Sequence, residues 1–369
     1  MSTVAILNPR AGRGRAIGVW AAVQAHLPGS VEVLETQARG HASALARHAL
    51  RRGATTVVAV GGDGTISEVV DGFFAGDRPV SPGARLAIVP HGTGSDFSRS
   101  VSLPASAAAL AGVIAGGSVM PIDVIRARYT ASDGSLQLRH AINVVSFGLG
   151  GAVAARANRS SRRFGGGITF LAAMLQTALR FSPLTVGLAL DRAPVVSATI
   201  MQVAVGNGRF HGGGMRVCPE ARLDDGWLDV TVVGELALWQ LVRALPRLYD
   251  GRIHTHPRVW SARIRRLQAD SDEAVPIEID GEPLGHLPLE IAIVPRALPL
   301  LVPGETASDR REVPRIARGR QRRAGRRRGP AAVASPSAGT SASGPGPIRS
   351  ARPASRSASR ASGHCSGLQ

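Results

Sequence analysis

The chain has 369 residues, 44% of them hydrophobic, and a formal net charge of +18, enough length for two domains with separate cores. No apolar run reaches the roughly 18–20 residues of a membrane-spanning helix, the start MSTVAILNPR lacks a signal peptide's basic region and cleavage site, and Cys218 and Cys365 fit neither a disulfide framework nor a zinc site, so a cytoplasmic protein is expected. Every one of the 44 basic residues is Arg, which excludes a Walker-type loop with its Lys and leaves phosphate to backbone N–H groups, Arg forks or metal.

From the N-terminus the pattern alternates strand and helix. Val4–Leu7 reads as a strand, and Asn8-Pro9-Arg10-Ala11-Gly12 opens a turn rich in donors before a helix that runs to about Ala25. Val31–Leu34 is the next strand, leading through Thr36 to a helix at Gly40-His41. The third strand, Thr55–Val60, is β-branched and apolar, and it runs into Gly61-Gly62-Asp63-Gly64-Thr65, after which Ile66-Ser67-Glu68 continue a helix. Thr65 and Glu68 have the spacing of a capping box. A strand, a glycine turn and a helix N-terminus together present free N–H groups to an anion, most simply a phosphate. The carboxylate of Asp63 makes sense there if Mg²⁺ lies between it and the phosphates, or if it orients an attacking hydroxyl. The fourth strand, Arg85–Val89, ends at a similar loop with Gly92, Thr93, Ser95 and Asp96. Several βα units with polar loops at their carboxyl ends predict a parallel, Rossmann-like α/β sheet carrying its site along that edge.

From about Pro121 the pattern changes. Strand-like runs at Asp123–Arg128, Leu138–Val145, Thr185–Leu190, Val195–Val205 and Trp227–Val233, parted by turn residues, predict a mostly antiparallel β domain. Helices are expected over 164–181 and 235–250. The stretch GNGRFHGGGMRVCPEARLDDGWLD, residues 206–229, is too rich in glycine and acids for a mere spacer. Ile277–Glu282 reads as a strand ending in two carboxylates, Asp280 and Glu282, around a glycine, and Leu289–Val294 and Leu298–Val302 as the last two strands. The expected domains are 1–121, 122–303, whose last strand could return to the first domain, and a disordered tail over 304–369. Fourteen Arg against Glu305, Asp309 and Glu312 place +11 of the net charge from Glu305 onward. The Arg310–Arg328 cluster suits anionic lipid head groups, non-specific nucleic acid or plain solubility.

Taken together, NPRAG at 8–12, GGDGT at 61–65, GTGSDF at 92–97, the glycine-rich stretch and DGE at 280–282 resemble the soluble diacylglycerol kinase family, which includes sphingosine and ceramide kinases and bacterial lipid kinases. GGDGT alone is shared with NAD kinases and phosphofructokinase relatives; the combination is specific, and it covers roughly 1–303. The resemblance implies an α/β nucleotide domain and a β-sandwich domain with the active site between them. ATP would meet Asn8, Pro9, Arg10, Ala11, Gly12, Thr36, the loop from Gly61 through Gly62, Asp63, Gly64, Thr65, Ile66 and Ser67 to Glu68, and Gly92 and Thr93. Asp63 and Asp96 would orient Mg²⁺ and phosphates, and Glu282, supported by Asp280, would accept the proton of the lipid hydroxyl. A structural Mg²⁺ is implied at the DDG turn, on the Asp225 carboxylate and the Arg222 and Trp227 carbonyls. The implied activity is phosphoryl transfer from ATP to a primary hydroxyl of a diacylglycerol-like lipid, by an enzyme peripherally associated with an anionic membrane surface. No specific nucleic acid is expected, and a homo-oligomer stays open. The sequence departs from the family at Ser95, Ser67 and Asp71, where Asn is usual. Two other readings remain: a soluble-metabolite kinase of the NAD kinase type, and a catalytically weak binding protein dominated by its Arg tail.

Overall fold

A computed structural model of the chain describes residues 2–92, 95–159 and 166–304, the side chains of 157–171 excepted. The arginine-rich tail, Thr93 and the first residues of the helix expected at 164–181 lie outside the described residues.

The first lobe begins with β1 (Thr3–Leu7), α1 (Ala16–Gln24), β2 (Glu32–Glu35), α2 (His41–Arg51), β3 (Thr56–Gly61) and α3 (Asp63–Gly72). A two-strand ribbon, β4 (Phe74–Ala75) with β5 (Arg78–Pro79), precedes β6 (Arg85–Pro90), α4 (Asp96–Val101) and α5 (Ala107–Gly116). β2, β1, β3 and β6 pair in parallel in that order. Every residue of β3 is buried, as expected of a parallel strand covered on both faces. Alternation along the strands feeds two cores. Val4 and Ile6 face α2 and α3 with Val57, Ala59 and Ile66, while Ala5 and Leu7 face α1 and α5 with Trp20, Val58, Val60 and Leu110.

The second lobe contains β7 (Ser118–Ala131), β8 (Leu136–Ala141), β9 (Val144–Gly148), α6 (Leu149–Arg159), α7 (Gly166–Ala178), β10 (Leu184–Leu190) and β11 (Val196–Gly206). It continues through β12 (Phe210–His211), β13 (Met215–Arg216), β14 (Leu228–Gly234), α8 (Leu238–Asp250), β15 (Val259–Ile264), β16 (Arg266–Asp270), β17 (Pro276–Ile279) and β18 (Glu282–Val302). Its strands pair antiparallel, and Ile125, Phe147, Val203, Val230, Leu267, Ile277 and Ile291 form a common core. Among the described residues, parallel pairing is confined to the four N-terminal strands and one contact, Leu86 with Leu300, between β6 and β18. The four N-terminal strands pair in parallel as expected, but they belong to one connected sheet of 14 strands that is mixed and mostly antiparallel rather than to a wholly parallel Rossmann-like sheet.

Three local departures matter for the site. The run expected at Leu138–Val145 breaks between β8 and β9, because the N–H groups of Ile142, Asn143 and Val144 turn to a carboxylate rather than to a neighbouring strand. The two strands expected at the end are one, β18, whose pairing with β7 slips between Val294 and Leu298. At that slip Arg296 takes a left-handed φ of 52°, and Asp123 holds it by accepting the Arg296 N–H at 2.7 Å and the Gly226 N–H at 2.6 Å. Finally, the Thr65 to Glu68 capping box does not form. α3 starts at Asp63, and Glu68 instead accepts the Gly40 and Ala42 N–H groups at 2.8 and 3.1 Å, capping the start of α2. No helix among the described residues is long and apolar enough to cross a membrane.

Candidate active site

A cleft of about 680 Å³ gathers the glycine turn after β3, the loops after β1 and β6, the start of α2, and the turn between β17 and β18. Asn8, Arg10, Ala11, Gly12 and Thr36 line one side. Asn8 is fixed by donating from its amide to the Thr65 hydroxyl at 3.0 Å, and Thr36 donates its N–H to the Leu7 carbonyl at 2.9 Å. Gly62, Asp63, Gly64, Thr65, Glu68, Gly92 and Asp96 line the floor. Of the other residues expected at the nucleotide, Ser67 and Ile66 are buried under the turn, while Pro9 and Gly61 support the loops without lining the cleft. The first N–H groups of α3, unpaired within a helix's first turn, face this space with the positive end of the helix dipole behind them.

Two glycines let the loops meet. A Cβ on Gly92 would stand 2.7 Å from the Gly62 Cα, closer than side chains tolerate. Gly92→Ala should therefore push the β3–α3 turn from the β6–α4 loop and weaken binding of the ATP that the sequence resemblance implies here by about tenfold to hundredfold, since ångström-scale displacements cost on that order. Titrating ATP against the variant, beside a melting curve showing it folded, checks this.

The carboxylates form two groups. Asp63 accepts the N–H groups of Asp96 and Phe97 at 3.3 and 3.4 Å. Burial, and then the nearby charge of Asp96, push its pKa up. Asp96 accepts the Gly213 N–H at 2.8 Å with one oxygen, and the other is buried without a hydrogen-bond partner. Two hard-oxygen donors in mutual repulsion, one with a free buried oxygen, fit a divalent cation held chiefly by one or two carboxylates and by phosphates.

Asp280 and Glu282 flank Gly281, and both Asp280 (φ 49°) and Gly281 (φ 84°) are left-handed. The turn so formed lets both residues line the cleft, although their carboxylates are used differently. Asp280 spends its oxygens inward on the Ile142, Asn143 and Val144 N–H groups at 3.2, 3.0 and 3.0 Å. Its pKa is raised by burial, against the pull of those bonds. Glu282 is the more available carboxylate. Arg139 lies 3.4 Å from one oxygen and Arg39 3.9 Å from the other, and a Cβ on Gly64 would lie 3.5 Å from the latter, so the glycine turn and this carboxylate adjoin. Burial raises the Glu282 pKa, and Arg139 opposes it, moving the group toward the range of a base that works near neutrality.

Sequence reasoning missed Arg39 and Arg139, since an Arg among 44 carries no signal of its partner. It placed His211 only within the glycine-rich stretch 206–229, with no role of its own. The structure buries His211 with Nε2 2.7 Å from Glu278, which is itself wholly buried and accepts the Ser146 hydroxyl at 2.8 Å. Burial alone would lower the His211 pKa, but the Glu278 charge outweighs it and lifts the value to about 9. A raised pKa stabilises the fold below the ordinary value of 6.5, and that increment fades as pH climbs through about 9. Urea midpoints of the protein and of His211→Phe should hence differ more at pH 6 than at pH 10.

The DDG turn stands apart from the cleft-lining residues. Asp225 accepts the Trp227 N–H at 3.1 Å and pairs with Arg263, whose guanidinium also lies 3.8 Å from Asp229. Arg222 reaches Asp224 at 3.4 Å. Oxygen donors of this kind suit Mg²⁺, but with both oxygens of Asp225 engaged a cation here does not fit without displacing Arg263.

The chain was compared with known proteins. Residues 2–127 match the diacylglycerol kinase catalytic domain, and residues 143–302 the YegS C-terminal NAD kinase beta sandwich-like domain. A Pseudomonas aeruginosa protein named "Probable lipid kinase YegS-like" is 31% identical over 266 residues, 72% of this chain and 82% of that one. A Mycobacterium tuberculosis protein named diacylglycerol kinase is 30% identical over 304 residues, 81% and 94% of the respective chains. The crystal structure of a Bacillus anthracis diacylglycerol kinase, 22% identical, superposes with a TM-score of 0.59 over 82% of this chain and 96% of that one, a likeness of fold.

Proposed function

The chain belongs to the diacylglycerol kinase family of lipid kinases, and from that premise we propose that it moves the γ-phosphoryl group of ATP to a primary hydroxyl of a diacylglycerol-like membrane lipid, with Mg²⁺, at the cytoplasmic membrane face. The observation that carries this reading is the meeting of the Gly64 turn with the Glu282 carboxylate. It supports a phosphate-binding turn and a hydroxyl-activating group acting on one reacting centre.

Phosphoryl transfer asks the protein mainly to position and to neutralise charge. The N–H groups at the start of α3 and the Arg10 and Arg13 side chains at the cleft wall would hold the phosphates. Asp63 and Asp96 would hold Mg²⁺, whose contribution is to offset the charge on the transferring group. Glu282 would take the proton of the lipid hydroxyl as oxygen attacks phosphorus, and Asp280 would keep the Glu282 turn in place. No step is assigned to the Arg222, Asp225 and Trp227 turn, where a cation would compete with Arg263.

The lipid acceptor is favoured over a soluble one by a second cavity, almost wholly apolar, walled by Met174, Met201, Leu241 and Leu248 among others. It shares His211 with the cleft. Labelled ATP and Mg²⁺ with mixed-lipid vesicles should yield an organic-extractable labelled product that disappears in Asp63→Ala. Label appearing in a soluble acceptor such as NAD would favour the metabolite-kinase reading, and no transfer to any acceptor would favour a binding protein.

A further inference from the structure

α8 runs as LWQLVRALPRLYD, and its inner side is accounted for. Leu241 and Ala244 are buried, Leu248 is partly so, and all three wall the apolar cavity. A surface helix normally sets polar side chains opposite such a stripe. This one exposes Trp239 (66%), Val242 (46%) and Tyr249 (41%) instead, with Pro246 also outward. Single exposed apolar residues are ordinary, but a Trp, Val, Pro and Tyr set on one helix is a patch. Its aromatic members are the two residues that combine an apolar ring with a polar edge and gather where hydrocarbon meets water.

The charges along the helix before its last residue have one sign. Arg243 and Arg247 are exposed, and neither is in a salt bridge among the described residues, although the Arg247 charge contributes to lowering the Asp250 pKa. The acid at the helix end, Asp250, is held by Arg252 at 2.6 Å, and Glu235 precedes the helix. Arg247 and Arg258 also flank His256 and, after burial, lower its pKa, which extends the positive field past the helix. Interfacial aromatics interleaved with exposed arginines complement an anionic bilayer. An apolar protein groove would leave those arginines unmatched, and nucleic acid would leave Val242 and Pro246 without use.

Resting on the lipid kinase reading, we propose that the outer face of α8 seats the enzyme on an anionic membrane, with Trp239 and Tyr249 at the head-group level and Arg243 and Arg247 against lipid phosphates. The same helix then touches the bilayer with one face and the apolar cavity with the other. That cavity, about 60 Å³, has His211 in common with the catalytic cleft.

The test uses the full chain and vesicles of phosphatidylcholine with and without phosphatidylglycerol. Brominated lipids should quench tryptophan fluorescence on the anionic vesicles, and Trp239→Phe should remove most of that quenching. Arg243→Gln with Arg247→Gln should weaken binding by roughly tenfold or more, following the contribution of each juxtamembrane Arg. Trp239→Ser with Tyr249→Ser should lower turnover of vesicle-borne lipid while leaving turnover of a short-chain, water-soluble acceptor unchanged. Unquenched Trp239, or variants that bind and turn over vesicles as the parent does, overturns the proposal even if the parent proves an active lipid kinase. Quenched Trp239 on a protein that phosphorylates no lipid would sustain the surface and remove the kinase reading instead.

Discussion

Glu282→Gln is expected to cut kcat for lipid phosphorylation by about 10²–10⁴-fold, the usual worth of a positioned general base, while ATP still binds. Gln keeps the shape of the side chain and its one oxygen can still accept from Arg139, the nearer of the two arginines, but it cannot take a proton. Equilibrium ATP binding beside single-turnover transfer separates the two effects. Retained transfer would remove Glu282 from the role of base. Arg139 offers a second handle. Because it holds down a pKa that burial raises, Arg139→Ala should lift the Glu282 value further and move the acidic limb of the rate profile to higher pH. A shift toward lower pH would contradict this electrostatic account.

The largest stability effect is expected at Asp280. Its carboxylate receives three backbone N–H groups from the gap between β8 and β9, and Asp280→Ala would orphan all three in a buried place. At about 1–3 kcal/mol for each unsatisfied buried donor, the loss is at least about 3 kcal/mol, a large share of a typical domain's stability. Asp280→Asn should rescue it poorly, because an amide brings its own N–H groups to a site that supplies only donors. Denaturant unfolding of the three proteins measures this. An alanine variant as stable as the parent would show that the donors find other partners.

The parts of this molecule that could be read in its sequence are those whose cause is local. The β-branched run before Gly61 is a strand, and the glycines after it turn the chain to a helix, because backbone freedom and side-chain shape act over a few residues. Asp63, Asp96, Asp280 and Glu282 could be named because each sits in a short, distinctive string. What could not be read depends on distant partners. Glu68 looks like half of a capping box, yet it caps another helix because the start of α2 lies nearer than its own. Leu138–Val145 looks like one strand and is two, because a carboxylate 137 residues away from Asn143 attracts its N–H groups. α5 and α6 are rich in Ala and Gly and carry little periodic signal, and the edge strand β15 is interrupted by outward Arg and Trp. Asp280 and Glu282 read as the end of a strand around a glycine; the left-handed pair at 280 and 281 makes a turn there, so that both residues line the cleft.

β18 begins with Glu282 beside the nucleotide turn and ends beside β6, bonded to β7 on both sides of the slip at residues 295–297. The two lobes are thus sewn together by a ribbon and are not joined by a slack tether. The place where that ribbon's rungs are missing is the slip that Asp123 fastens. One buried carboxylate on β7 thereby ties together two stretches that lie 70 residues apart, the turn at Gly226 and the β18 slip at Arg296.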